Sequence, residues 1–297
     1  MAPIPSIRVT PNASNILMNE TVDINLLIKN DSLVNSDIGY KIISDIYVEK
    51  GLTKQTNSSQ MTYVAEWADY VDGDDTYKTW VNNNGQKVTS HPYSSSGLSL
   101  PSSPNDEKEW RWYIVDSVYS SYAPTQPEVS IFQNNDDELE GILFKVDKDD
   151  GALIGIPMEI YADVWFRYGS DALNNPNSDP PIQGTRQSGT VTPQLIKITK
   201  RNNKAESEVA TGPNFPITYT INVDIAEGEV IDSIVVKDTL PKELLLYDPD
   251  TIDASSNVGV IESTNYSTSN NSVYIVSKNV VNSRLNPNNT FNKSWIN

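Results

Sequence analysis

Apolar residues recur at every second position along much of this chain. Phe215, Ile217, Tyr219, Ile221, Val223 and Ile225 alternate with mostly polar neighbours, the spacing of a strand with one buried face. Val22, Ile24, Leu26 and Ile28 repeat the pattern, as do Ile156, Met158, Ile160, Ala162, Val164 and Phe166, and more briefly Trp110, Trp112 and Ile114. Further β-branched or aromatic runs lie at 42–48, 129–132, 142–146, 231–236 and 273–276. Asn83-Asn84-Gly85, Asp149-Asp150-Gly151 and Ala226-Glu227-Gly228 punctuate them as turns. Many short strands with little helix predict an all-β chain of β-sandwiches. One window departs from the pattern: Tyr63, Val64, Trp67, Tyr70 and Val71 fall at helical spacing and predict a short helix within 61–71. A polar stretch follows over 72–109, so a long loop insertion is expected near 67–109.

A length of 297 residues fits two domains. Residues 1–192 hold 13 basic and 27 acidic side chains, net −14, and residues 193–297 hold 9 and 12, net −3, which together give −17. The polar, Pro-rich approach Asn174-Asn175-Pro176 to Ser188-Gly189 marks the same boundary, giving domains 1–192 and 193–297. The acidity belongs to the first. It argues against nucleic acid as a partner, which needs a basic face, and against adsorption to anionic membranes. No apolar run is long enough to insert in a membrane as a helix. Cysteine is absent, which removes thiol and zinc-ribbon chemistry. The single histidine, His91, reads as a loop residue before Pro92, with no Gly-x-Ser-x-Gly elbow or phosphate-binding glycine loop elsewhere. No enzyme is expected. The N-terminus Met1-Ala2-Pro3-Ile4-Pro5 carries no apolar core of a secretory signal.

The second domain has a recognisable order. Pro193-Gln194-Leu195-Ile196-Lys197-Ile198-Thr199-Lys200 comes first, then Phe215-Pro216-Ile217-Thr218-Tyr219-Thr220-Ile221, then Val235-Val236-Lys237-Asp238-Thr239-Leu240-Pro241. A first strand ending in Lys, a Tyr-centred second strand and a strand ending in Asp-Thr-Leu-Pro resemble the bacterial and archaeal surface-repeat family called domain of unknown function eleven. That family also occurs in isopeptide-forming fimbrial proteins. The resemblance covers 193–247, and residues 1–190 resemble the leading domains of large secreted surface proteins more loosely. It implies two Ig-like β-sandwich domains in tandem and a place at the cell surface.

Some members of this family join a first-strand Lys to a last-strand Asn beside a buried acid, which requires a neutral amine and a protonated carboxyl. Lys200 shares a strand face with Ile196 and Ile198, and Asp238 with Ile234 and Val236, so Lys200 and Asp238 are the candidate pair. The alternative places Lys200 in solvent and Asp238 in a turn. Arg8 stands where the first domain would need Lys. Three acidic clusters suit Ca²⁺, which favours carboxylates and carbonyls: Asp72, Asp74 and Asp75; Asp136 and Asp137 with Glu138 and Glu140; and Asp147, Asp149 and Asp150. None completes an EF-hand loop, and acidic turns are also simply solvated. Tyr63, Trp67, Tyr70, Tyr77 and Trp80 would form a platform for sugar rings, or else anchor the insertion on the sandwich. Asn-x-Ser/Thr sequons begin at Asn12, Asn19, Asn30, Asn57, Asn265, Asn270, Asn288 and Asn292.

The expected function is structural: a surface-layer, sheath, filament or fimbrial subunit, assembling with copies of itself or with other surface-layer subunits. The alternatives are an adhesin or Ca²⁺-dependent, lectin-like module for glycans, and a virion decoration or fibre protein. Strands counted from Gln194 fall at 194–200, 216–225, 230–237, 243–247, 258–262 and 272–281. A sandwich of this class needs about seven, so the second domain is expected to be one or two strands short, completed by chain beyond Asn297 or by a neighbouring subunit.

Overall fold

A computed structural model describes residues 3–31, 40–58, 61–94, 97–115, 136–167, 181–202, 218–240, 253–256, 260–267, 269, 272–281 and 290–296. The chain divides into two units, one of Met1–Ile16 and Thr21–Pro193, the other of Leu17–Glu20 and Gln194–Asn297. It is all-β: among the described residues the only helical element is a 3₁₀ turn at Lys148–Asp150. The strand runs at 129–132 and 243–247 lie outside the described residues.

The first unit contains β1 (Pro5–Pro11), β2 (Asn15–Leu17), β3 (Thr21–Asn30), β4 (Tyr40–Glu49), β5 (Leu52–Lys54), β6 (Met61–Asp72), β7 (Asp75–Val81), β8 (Trp110–Val115), β9 (Asp136–Val146), β10 (Met158–Arg167), β11 (Ile182–Gln183) and β12 (Gln187–Gln194). One sheet has the order β1-β3-β9-β5; the other runs β2-β12-β10-β4-β8-β6-β7, with β11 beside β10. Period-two patterning sets the packing between them. Val22, Ile24, Leu26 and Ile28 of β3 are all fully buried, as alternate side chains on a one-faced strand must be. Phe144 of β9 reaches across to Tyr113 of β8 in an edge-on ring contact at 5.7 Å. Gly141, with φ of 76°, sits where the β3–β9 register shifts between Ile24 and Leu26, a left-handed conformation that glycine adopts without a Cβ penalty.

The predicted helix over 61–71 is a strand. β6 pairs with β8 in a register that shifts between Tyr63 and Ala65. That bulge advances the two-residue phase by one, so the apolar positions on either side of it imitate helical spacing. The insertion is also smaller than expected. β6 and β7 form a regular hairpin closed by Gly73 (φ 66°) between Asp72 and Asp75, and the irregular segment spans 82–109. That segment covers the outer face of the eight-stranded sheet. Ile43, Tyr47, Ala65, Trp80, Leu98, Trp110, Trp112, Ile114 and Trp165 form one cluster beneath it, with Trp67, Val88, Tyr93 and Tyr161 packed alongside. β4 is therefore buried on both faces, from Ile42 through Val48, and reads in sequence as a continuous run.

The second unit holds β13 (Ile196–Asn202), β14 (Thr218–Ile225), β15 (Val230–Thr239), β16 (Asp253–Ser256), β17 (Val260–Ser267), β18 (Ser272–Val281) and β19 (Thr290–Ile296). Sheets β13-β14-β19-β16 and β15-β18-β17 enclose Ile221, Val223, Ile225, Ile234, Leu240, Val273 and Ile275. The Thr290–Ile296 segment, not counted as a strand from sequence, pairs with β14 from Thr218↔Ile296 to Asp224↔Thr290. It lies inside the sheet, and β13 and β15 are left as edges on one flank.

Candidate functional site

Lys200 and Asp238 meet. Register pairs Lys200 with the buried Ile221, which turns its side chain inward, and β15 brings Asp238 from the opposite sheet. Lys200 Nζ donates to both Asp238 oxygens at 2.8 and 2.9 Å and lies 4.6 Å from the Tyr219 ring centre. Asp238 is 9 % exposed, whereas the Lys200 side chain keeps 37 %. Ile198, on the same inward row, is 62 % exposed, and among the described residues β13 and β15 have no further strand on this flank. The side chain of Asn292 lies outside the described residues.

The acidic clusters separate. Asp72, Asp74 and Asp75 are exposed at the β6–β7 tip, with Tyr77 Oη donating to Asp72 at 3.2 Å. The side chains of Asp136, Asp137, Glu138 and Glu140 lie outside the described residues. Asp147 caps the 3₁₀ turn, accepts from the Asp149 amide and pairs with Lys145 at 3.0 Å. Asp150 accepts from both terminal nitrogens of Arg111 and, at 2.9 Å, from the Gly51 amide. Burial alone would raise the Asp150 carboxyl, but bonds from Arg111, Gly51 and Thr53 hold it below its ordinary value. With its oxygens so engaged, Asp150 is a structural ligand of an arginine. Among the described residues no three His, Cys, Asp or Glu side chains stand close enough to hold a metal.

The five aromatics do not form one platform. Trp80 is fully buried and touches Trp67 edge-on at 5.3 Å, under the 82–109 segment. Tyr63 contacts Tyr113 at 5.6 Å, and Tyr70 contacts Tyr77 at 6.1 Å. Pairing of Trp67 with Trp80 and of Tyr70 with Tyr77, three residues apart on each strand, puts these pairs on opposite faces. Tyr63 instead borders a groove of about 500 Å³ with Thr53, Lys54, Arg111, Tyr113 and Asp149. Burial pushes the Tyr113 hydroxyl up to about 12.

The densest polar cluster was not legible as a site. His91 lies in the irregular 82–109 segment, a loop residue as its sequence context indicates, yet it is only 1 % exposed. Its Nε2 lies 3.2 and 3.1 Å from the two Asp45 oxygens, and its Nδ1 accepts from the Tyr93 amide at 3.0 Å. Tyr47 Oη stands 3.1 Å from Asp45 Oδ2 and 3.1 Å from Asp163 Oδ2. Arg186 then grips Asp163 through Nε at 2.9 Å and Nη2 at 2.6 Å, its guanidinium 4.7 Å from the Tyr47 ring centre. Burial works against the Arg186 charge, and Asp163 more than restores it. The sequence signal was an acid inside each of two apolar runs, Asp45 in 42–48 and Asp163 in 160–166. The two face each other across β4 and β10.

No family model matches the chain. No curated protein matches it either. Among solved structures it is similar to AvmM, which catalyses macrocyclization in alchivemycin A biosynthesis (8 % identity, 65 % of this chain and 88 % of that one, TM-score 0.34). It is also similar to the C-terminal domain of the Streptococcus pyogenes antigen I/II-family protein AspA (10 %, 100 % and 90 %, TM-score 0.29). The full-length major pilin SpaD of Corynebacterium diphtheriae is a third (11 %, 82 % and 46 %, TM-score 0.27). The last two are bacterial surface proteins. At such scores the likenesses carry no functional argument.

Proposed function

We propose that this is a non-enzymatic structural protein of a cell surface, working by assembly with copies of itself or with other surface subunits. The observation that supports this reading is the open flank of the second unit. β13 and β15 are both sheet edges there, tied together by Lys200 and Asp238. They carry Ile198, Val230 and Val235 at 62, 67 and 59 % exposure. An edge strand with uncovered aliphatics is a template for pairing with another chain. Lys197 and Arg201 of β13 would face their own copies across an antiparallel β13–β13 pair, so the edge favours a different strand as partner. The test is negative-stain microscopy and light scattering of the full chain beside an Ile198→Lys/Val235→Lys variant. Filaments or arrays in the parent and dispersed variant particles are expected; a parent that stays monomeric at high concentration sinks the reading.

A second reading, a glycan-binding adhesin, draws on the groove at Tyr63, where an exposed ring edge adjoins Lys54 and Asp149. A glycan array probed with and without a calcium chelator separates the two readings. Binding lost in Tyr63→Ala supports the adhesin.

A further inference from the structure

The cluster beneath the 82–109 segment has a proton count that its geometry decides. Tyr47 carries one hydroxyl proton, yet its oxygen lies 3.1 Å from a carboxylate oxygen on each side. Were both acids ionised, one contact would set two lone pairs against each other at residues that are all 0 % exposed to bulk solvent. Asp163 is the charged member, because both its oxygens receive N–H groups from Arg186. His91 does not supply a second cation: its Nδ1 accepts the Tyr93 amide hydrogen, so that nitrogen has a lone pair and the ring proton is on Nε2, facing Asp45.

We infer that Asp45 is a neutral carboxylic acid, donating its proton to Tyr47 Oη while Tyr47 donates to Asp163, and that this proton latches the 82–109 segment onto the sheet. The three gaps of His91–Asp45–Tyr47–Asp163 then hold one hydrogen each, the Asp163–Arg186 pair holds two, and the cluster carries no net charge. The titratable or charged groups facing Asp45 are His91 from the covering segment, Tyr47 on its own strand, Asp163 on β10 and, through Asp163, Arg186. Burial pushes the Asp45 carboxyl up, against the bond from His91, the charge that a cationic His91 would bring and the Trp112 indole N–H, and the charge of Asp163 adds a smaller push in the same direction as burial. Removing the proton puts a second anion beside Asp163 in a dry site, so the latch weakens as pH rises.

The sign is testable. A carboxyl raised in the folded state takes up a proton on folding, so its contribution is complete below the unfolded value of about 3.9 and declines as pH rises from there. Asp45→Asn keeps a donor toward Tyr47 and an acceptor toward His91 but has no proton to lose. Its stability relative to the parent, from urea midpoints of the full chain, is expected to grow with pH between 5 and 9. The growth reaches at most tenfold in the folding constant per pH unit. A difference that is flat or shrinks overturns the inference. An ionised Asp45 paired with a cationic His91 would also make the difference grow, because that pair is lost as the imidazolium deprotonates, so the protonation of the histidine separates the two states. Nitrogen NMR of the single histidine in the parent reads it at neutral pH. Nε2 protonated and Nδ1 bare is expected; any other pattern overturns it.

Discussion

The eight-stranded sheet of the first unit is sealed twice, by two different kinds of cover. On the side of the four-stranded sheet, Ile24, Leu26, Ile42, Ile46, Val48 and Phe144 meet at 1 % exposure or less, with no charged group among them. On the other side the cover is irregular chain, and the contact is made by tryptophans and ions. Trp80 Nε1 donates to the Pro101 carbonyl and Trp110 Nε1 to that of Asn105, both at 2.8 Å. Arg186 Nη2 donates to the Ser102 carbonyl at 3.2 Å. Strands satisfy their own backbone, so a sheet brought against a sheet needs only matching volume. A loop laid on a sheet arrives with unpaired carbonyls, and indole and guanidinium groups answer them.

Four substitutions probe that contrast. The largest effect is expected for Asp163→Ala, which leaves Arg186 charged and unpaired. It should cost about 3–5 kcal/mol in urea unfolding, with much of it recovered in Asp163→Leu/Arg186→Met. A single variant as stable as the parent would mean that the ions contribute nothing. On the dry face Ile24→Val removes only one methylene and should cost about 0.5–1.5 kcal/mol. A cost as large as that of Asp163→Ala would erase the distinction. Asp150 titrates in the opposite sense to Asp45. Its carboxyl is held low in the folded state, so its contribution is present above about pH 3.9 and is lost as pH falls below that. Asp150→Asn should therefore flatten the acid limb of a melting-temperature profile; an unchanged limb assigns acid sensitivity elsewhere. The smallest effect belongs to Lys200→Met, which removes an ion pair whose lysine is 37 % exposed, and it should cost about 1 kcal/mol in the same urea unfolding; a cost near that of Asp163→Ala would put the two pairs on one footing.

The regular half of this contrast was legible from residues alone, and the irregular half was not. Val22, Ile24, Leu26 and Ile28 announce β3 because a strand buried on one side writes its periodicity into the sequence. The run at 42–48 reads as a strand, but nothing local says that a segment some 40–60 residues later covers its second face. Asp45, Asp163 and Arg186 read as ordinary surface charges until the β4–β10 register and the loop bring them together. The Pro-flanked context of His91 carries no sign of its partner, because Asp45 stands 46 positions away. Lys200 and Asp238 are the pair that the family resemblance implies, strand parity places each on an inward face, and their meeting needed only that the two strands pack.

Strand pairing in the first unit also sets a clock. β3 pairs with β9 through Ile24↔Ile142 and β4 with β10 through Val48↔Ile160, so both central contacts join positions more than a hundred residues apart.

 In that second pairing Val48 stands opposite Ile160 and Ile46 opposite Ala162. At about 5–20 residues per second of synthesis, the stretch between Ile24 and Ile142 takes roughly 6–24 s to emerge. Throughout that interval β3 has only β1 beside it, and its aliphatic row has no sheet to close against. Pairings of such long range are slow to nucleate because loop closure precedes any gain in contact. The first unit thus stays open until its last strands exist, a delay during which the growing chain can be kept extended by whatever holds or moves it.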